Sequence, residues 1–300
     1  MMLLQGGNTE MFKIITDNGS DLTKEWMAAN DVDCLYLSTI LDGKVIADKD
    51  IDLAAADFYQ MLSQGAKPST SQINPEQARE YFTEHINDAD EFLYVGISSG
   101  LSGTVGSVRT GVAEVLEAYP NKKIEVVDSL TASLGEGLVV WYAVKMRNEG
   151  KSLEETAKWL NDNIQHFLLS FTVDNLFDLW RGGRVSRTSA IVGTLASVKP
   201  FLIVDPEGKL TVPQKLRGRK KSLAYLVESL KLHKGTEYAG NNDMIMICHG
   251  NVPEDAEYVK QMLEEQYGYK NFYMSNVGPM IGTHTGSSLV VLAFMGDGRY

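Results

Sequence analysis

Residues 92–107 read FLYVGISSGLSGTVGS. An apolar run of strand length, Phe92 to Ile97, passes into a loop of serines and glycines, and a helical pattern follows. A strand, a tight turn and a helix start are therefore expected here. The first turn of a helix carries unpaired N–H groups and a partial positive charge, so this stretch is a natural anion site. Ser98, Ser99, Ser102 and Thr104 add neutral hydroxyl donors to the same loop.

Working outward, the flanking segments repeat the alternation. Upstream, Phe12 to Thr16 is a short apolar strand ending in the polar loop Asp17 to Leu22, with a helix led by Trp26. Asp33 to Val45 reads as two strands around a turn at Asp42-Gly43, and Ile51 to Leu62 has helical spacing. Lys67 to Gln72 is a polar loop before a well-signalled helix, with Asn74 as N-cap, Pro75 in its first position and Gln77 completing the cap. Downstream, Ile124 to Val127 is a strand ending in Asp128-Ser129, and Thr131 to Glu149 is a helix. Strands alternating with helices imply an α/β fold: a mostly parallel layered sheet with helices on both faces. Asp17, Ser98 and Asp128 all fall just after strands, at the sheet edge where such folds bind ligands.

A second, smaller α/β unit is expected from residue 166 to the end. It has strands at Phe167–Val173, at 200–204 and 209–216 around the turn Asp205-Pro206-Glu207-Gly208, and at Met244–Cys248, Phe272–Ser275 and Leu289–Phe294. Just before it, Ser152 caps a helix with Glu155 completing the box, and within it helices are expected over 175–180, 186–198 and 253–266. The resulting division is a loose tail at 1–10, an N-terminal domain at 11–165 and a C-terminal domain at 166–300.

Bulk properties narrow the function. The 300 residues suit two domains, and 44% hydrophobic with 22% charged is ordinary for a globular chain. A net charge of -11 argues against general nucleic-acid binding. The start lacks the charged and apolar regions of a signal peptide, and no apolar run is long enough to span a bilayer. Cys34 and Cys248 have no metal or redox spacing and suit packing in a reducing cytoplasm. The histidines show no ligand spacing, so no metal is assigned. Neither GxxxxGK[ST] nor a strand–GxGxxG–helix occurs, which speaks against an ATP or NAD cofactor.

Several constellations carry chemistry. Thr70 and Ser71, before a strongly capped helix, form a second donor group that could face the Ser102 loop. Two neutral hydroxyls at helix starts could hold a carboxylate without burying a full counter-charge. His284 lies in a Gly-rich loop, Gly278 to Gly286, where histidine is rarely a core filler. Arg181 and Arg184 flank two glycines, which reads as a helix C-cap with favourable cations at its last turn, and Lys215 to Lys221 is a local basic cluster, readable as a solvated face or as a dock for an anionic partner. Gly96 to Gly100 also matches the G-x-S-x-G nucleophile elbow, with Asp128 and His284 following in Ser, Asp, His order. A serine hydrolase using Ser98, Asp128 and His284 is thus the rival reading, although no HGGG-like oxyanion segment is present.

Eight segments taken together resemble the DegV family of fatty-acid-binding proteins: DNGSDL (17–22), KPSTSQINP (67–75), SSGLSGT (98–104), VVDSLTASLGEG (126–137), RGGRVS (181–186), VKPFLIVDPEGKL (198–210), LRGRKK (216–221) and VGPMIGTHTG (277–286). The resemblance implies two α/β domains and an apolar tunnel holding a long-chain fatty acid such as palmitate or oleate. It places the carboxylate on Thr70 and Ser102, with Ser71, Ser98 and Ser99 nearby. It also implies a carrier without catalytic residues of its own. Such a carrier presents the lipid to a separate ATP-dependent fatty-acid kinase for phospholipid synthesis, with His284 and Arg184 supporting the phosphoryl-transfer side. Transient contact with a membrane surface would fit such a role. Three departures stand out: Asn18 for the usual Ser, INP (73–75) after TSQ, and HTGSS (284–288) near the end. The first two bear on acyl-chain preference and the last on the kinase-facing loop.

Overall fold

The computed structural model describes residues 11–186, 197–233 and 244–299. The tail at 1–10 and most of the helix expected over 186–198 lie outside them.

The apolar runs read from the sequence form the parallel core of the N-terminal half. Strands β1 (Lys13–Asp17), β2 (Val32–Leu35), β6 (Glu91–Gly96) and β7 (Lys123–Asp128) make one all-parallel sheet in the order β2-β1-β6-β7. Both faces of a parallel sheet are covered, which is why β1 and β6 are near-continuous hydrophobic segments. The covering helices include α1 (Lys24–Ala29), α3 (Pro75–Glu84) and α4 (Thr104–Ala118). Helix α3 begins with the expected capping box between Asn74 and Gln77.

The region between β2 and α3 departs from expectation. Residues 33–45 contribute to three strands rather than two, because β2 stops at Leu35 and the hairpin β3 (Ser38–Leu41) and β4 (Lys44–Ala47) follows. Its turn is Asp42-Gly43, both with positive φ (51 and 76°), as a tight right-twisted hairpin requires. After α2 (Ala55–Ser63), the supposed loop around Thr70 is a short strand, β5 (Ser69–Ser71), antiparallel to β3. Three polar residues show no hydrophobic period, so only tertiary pairing reveals this strand.

The C-terminal half is built on the wider sheet. The order is β10 (Leu210–Arg217), β9 (Val198–Val204), β8 (Phe167–Thr172), β13 (Val290–Met295), β11 (Ile245–His249) and β12 (Phe272–Asn276). It is antiparallel except for the β11–β12 pair. No strand pairing among the described residues crosses residue 165. Alternation divides the side chains cleanly. Phe167, Leu169 and Phe171 of β8 and Val291 and Ala293 of β13 face inward. Leu168, Val290 and Leu292 face outward, against α8 (Arg219–His233) and α9 (Pro253–Tyr267).

Helix α5 (Leu134–Asn148) joins the halves. It is buried nearly all round, including Leu134, Leu138, Val139 and Ala143. It contacts β1 and β6 on one side and β8, β11 and β13 on the other. A helix apolar on every face belongs in such an interior layer. The inner core is therefore continuous from one sheet to the other. Helix α6 (Leu153–Asn163) follows with a second capping box, Ser152 with Glu155. The short helix α7 (Phe177–Arg181) ends at the two glycines. The Gly-rich segment around His284 is also not a loop: Pro279 starts a short helix, α10 (Pro279–Thr285), with His284 in its last turn.

Candidate functional site

The strand–turn–helix at 92–107 is assembled from backbone bonds. Leu101 and Ser102 donate their N–H groups to Ser98 O, both at 3.0 Å, which winds the chain toward α4. Ser102 Oγ lies 2.9 Å from Thr104 Oγ1 and accepts from Thr104 N–H at 3.3 Å, so this hydroxyl sits at the helix entrance as expected. The two serines before it do other work. Ser98 is fully buried, donates to Gly208 O (2.8 Å) and accepts from Gly100 N–H (3.0 Å). The β9–β10 turn is thereby latched to the loop, and a Cβ on Gly100 would lie only 2.7 Å from Gly208 O. Ser99 is exposed.

Thr70 lies in β5 opposite Thr39, not at a helix start. Its Oγ1 is 2.8 Å from Nε2 of His284. The next side chain but one bridges the two hydroxyl segments. Gln72 Oε1 accepts from Gly103 N–H (3.1 Å), and its Nε2 donates to Ser107 Oγ (3.3 Å). The two arginines of RGGR hold opposite flanks. Arg181 donates to Pro68 O (2.7 Å) and Thr283 O (3.0 Å), the carbonyls leading to Thr70 and His284. Arg184 donates from Nε to Leu101 O (3.2 Å), beside Ser102.

These groups form the polar part of a cavity of about 330 Å³, within the range of small-molecule sites (about 300–1,000 Å³). Thr70, Ser71, Gln72, Ser102, Arg184 and His284 all line it. The remaining wall is mostly apolar. Leu169 and Phe171 of β8, Val204 of β9, Leu210 of β10 and Val291 of β13 come from the inner face of the wide sheet, and Ile97 and Leu101 from the opposite side. The cavity thus lies between the halves, with hydroxyl and cationic groups beside a greasy interior.

Ser98, Ser99, Asp17 and Asp128 do not line it, contrary to the sequence reading. Asp17 is buried and accepts from Gly19 N–H, Ile97 N–H and Tyr94 O–H. Asp128 Oδ1 accepts from Ser99 and Leu130 N–H, bracing a turn. The Ser98–Asp128–His284 triad is therefore not assembled: Ser98 bonds a backbone carbonyl, and the Nε2 of His284 faces Thr70. A short motif matched, but its serine points into the β9–β10 turn.

Electrostatics separate two neighbourhoods. Burial, followed by the Arg184 and Arg181 charges, pushes His284 down to about 3, so the ring is neutral at physiological pH. Behind the cavity, Asp17, Asp21 and Glu136 are all buried, and burial raises each above the ordinary carboxyl range, Asp21 to about 7. Ser133 lines the cavity and connects to this group, donating to Asp21 Oδ2 (2.5 Å) from a backbone with φ 52°. Such a φ is strained for serine. It is held by Ser133 N–H donating to Gly19 O at 2.7 Å. Asn18, the departure noted above, exchanges two 2.9 Å hydrogen bonds with the backbone of Leu37, a residue of the cavity wall. Among the described residues no cluster of three or more His, Cys, Asp or Glu is placed to hold a metal ion. Nor is any helix there long and apolar enough to cross a membrane.

Sequence reasoning missed Gln72, the Leu169–Phe171 wall and the shared burial of Asp17, Asp21 and Glu136. The alternation in FLLSFT was available to reveal the wall, whereas nothing local marks the other two.

Fold and cavity together define an α/β protein of three sheets with a cavity between its halves that is polar on one flank and mostly apolar elsewhere. The chain belongs to the DegV family: the family model described as "Uncharacterised protein, DegV family" matches residues 11–297. A DegV domain-containing protein of Clostridium perfringens is 39% identical over 95% of this chain and 98% of its own. Among solved structures, a DegV family protein of Thermus thermophilus described as fatty acid binding is 27% identical. It superposes with a TM-score of 0.83, covering 95% of this chain and 99% of that one. DegV of Bacillus subtilis, described as a fatty acid binding protein, is 26% identical with a TM-score of 0.81, over 95% and 99% of the two chains.

Proposed function

We propose that this protein binds one long-chain fatty acid, tail against the wide sheet and carboxylate at the hydroxyl flank. The observation that carries the reading is the cavity itself, in which Thr70 and Ser102, 32 positions apart in sequence, line one space with Leu169, Phe171, Val204 and Val291. The Thermus and Bacillus relatives, described as fatty acid binding, support the same ligand class.

Thr70 and Ser102 donate to the carboxylate, and Ser71, His284 and Arg184 support that head group. The driving force is the tail. Each buried methylene contributes about 0.8 kcal/mol, so about 15 carbons offer roughly 10 kcal/mol before ordering costs are subtracted. The protein acts as a carrier rather than an enzyme. An acyl phosphate made by a separate ATP-dependent kinase is the outlet that suits a carboxylate held beside neutral donors and an arginine, and it would feed phospholipid synthesis in the cytoplasm. His284 was expected as head-group or phosphoryl-transfer support; because it lines the cavity and bonds Thr70, its loss is expected to weaken lipid binding. Titration with oleate under native mass spectrometry tests the reading. One bound oleate per chain supports it, and no uptake at micromolar oleate contradicts it.

A further inference from the structure

The two glycines of RGGR meet different surroundings. Gly183 has φ +77°, and a Cβ there would touch nothing within 4 Å. It is glycine for its backbone conformation. Gly182 has φ -75° and ψ -8°, which any residue adopts. Yet a Cβ there would lie 2.2 Å from Nδ1 and 3.0 Å from Cε1 of His284. It is glycine because its backbone is seated against the imidazole, and the hydrogen occupying that direction faces Nδ1.

Nδ1 is buried and has no hydrogen-bond partner among the described residues. The neutral ring carries a single proton. Placed on Nδ1, that proton would meet the Gly182 Cα–H and leave a buried donor unpaired. Left bare, the same nitrogen accepts a weak C–H contact. The proton therefore sits on Nε2, 2.8 Å from Thr70 Oγ1. Nε2–H donates to Thr70, and the Thr70 proton is then released toward the cavity. With the opposite tautomer, Thr70 would donate to the ring and present only lone pairs to a ligand.

We propose that Gly182 is a positioning residue: its backbone fixes the Nε2–H tautomer of His284, which turns Thr70 into a donor and selects a carboxylate over a neutral alcohol. This rests on the fatty-acid reading above and adds to it how the head group is chosen.

Two measurements on the full chain decide it. Proton–nitrogen correlation spectra of protein carrying nitrogen-labelled histidine report the tautomer directly, the His284→Gln variant identifying the signal. Nε2–H is expected, and Nδ1–H would overturn the proposal. Displacement of a fluorescent fatty acid by stearate and by octadecanol gives the affinity ratio for acid over alcohol. In Gly182→Ala that ratio is expected to fall about tenfold or more, the worth of a charge-assisted hydrogen bond. In Gly183→Asn, which tolerates positive φ, it is expected to stay at the wild-type value. An unchanged ratio in a folded Gly182→Ala protein overturns the proposal. If that variant does not fold, the wild-type tautomer decides alone. A wild type that takes up neither ligand overturns the lipid reading itself, while the spectra still locate the proton.

Discussion

Replacing Thr70 by valine removes a hydroxyl and keeps the volume and the preference for a strand. Two consequences separate cleanly. The bound carboxylate loses a charge-assisted hydrogen bond, about 1.5–3 kcal/mol. His284 Nε2, 2.8 Å from the lost oxygen, is left without its partner in the free and the loaded protein alike. That second effect costs about 1–3 kcal/mol of stability and cancels from the dissociation constant. Thr70→Val should therefore weaken stearate binding roughly 10- to 100-fold. At about 0.8 kcal/mol per methylene, this equals shortening the tail by two to four carbons. The variant with stearate should accordingly bind about as tightly as the wild type with palmitate or myristate. Displacement of a fluorescent fatty acid across the three chain lengths, with thermal denaturation of the lipid-free proteins, measures both quantities. A stearate constant within about twofold of wild type in a folded variant would show that the carboxylate lies elsewhere.

Three further outcomes follow from other parts of the site. Ser102→Ala should weaken the same ligand by about 1–3 kcal/mol, read in the same displacement assay. Asp21 is raised by burial to about 7, so its contribution to stability is complete below the ordinary carboxyl value and disappears as pH rises through 7. Asp21→Asn, a stand-in for the protonated acid, should thus raise the melting temperature more at pH 8 than at pH 5, and a difference independent of pH would refute the assignment. Gly100→Ala drives a methyl into Gly208 O and should lower unfolding free energy by about 1–3 kcal/mol in chemical denaturation, loosening the β9–β10 wall.

The sequence disclosed most where physics is local. The apolar runs at Phe92 and Ile124, the capping boxes at Asn74 and Ser152 and the Asp42-Gly43 turn all stand in the structure as read. It was weakest where partners lie far apart in the chain. The strand status of Ser69–Ser71 comes from pairing with β3, and the helix at His284 from packing on α7. Serines could be counted in the 98–102 loop, but only the approach of Gly208 settles which of them turns away from the cavity. Thr70 and Ser102, which the structure brings to one cavity, were marked in the sequence by the helix and turn chemistry that flanks each and by the motifs shared with the DegV family. That Asp17, Asp21 and Glu136 are buried together has no sequence signature, since their environment is made by three separate elements.

The central claim is that a fatty acid occupies the cavity beside Thr70 and Ser102. Organic extraction of the purified protein followed by mass spectrometry tests it most directly. The account predicts long-chain fatty acid near one molecule per chain, reduced in the Thr70→Val and Ser102→Ala double variant. An extract without fatty acid, from protein that also fails to take up added oleate or palmitate, would contradict it.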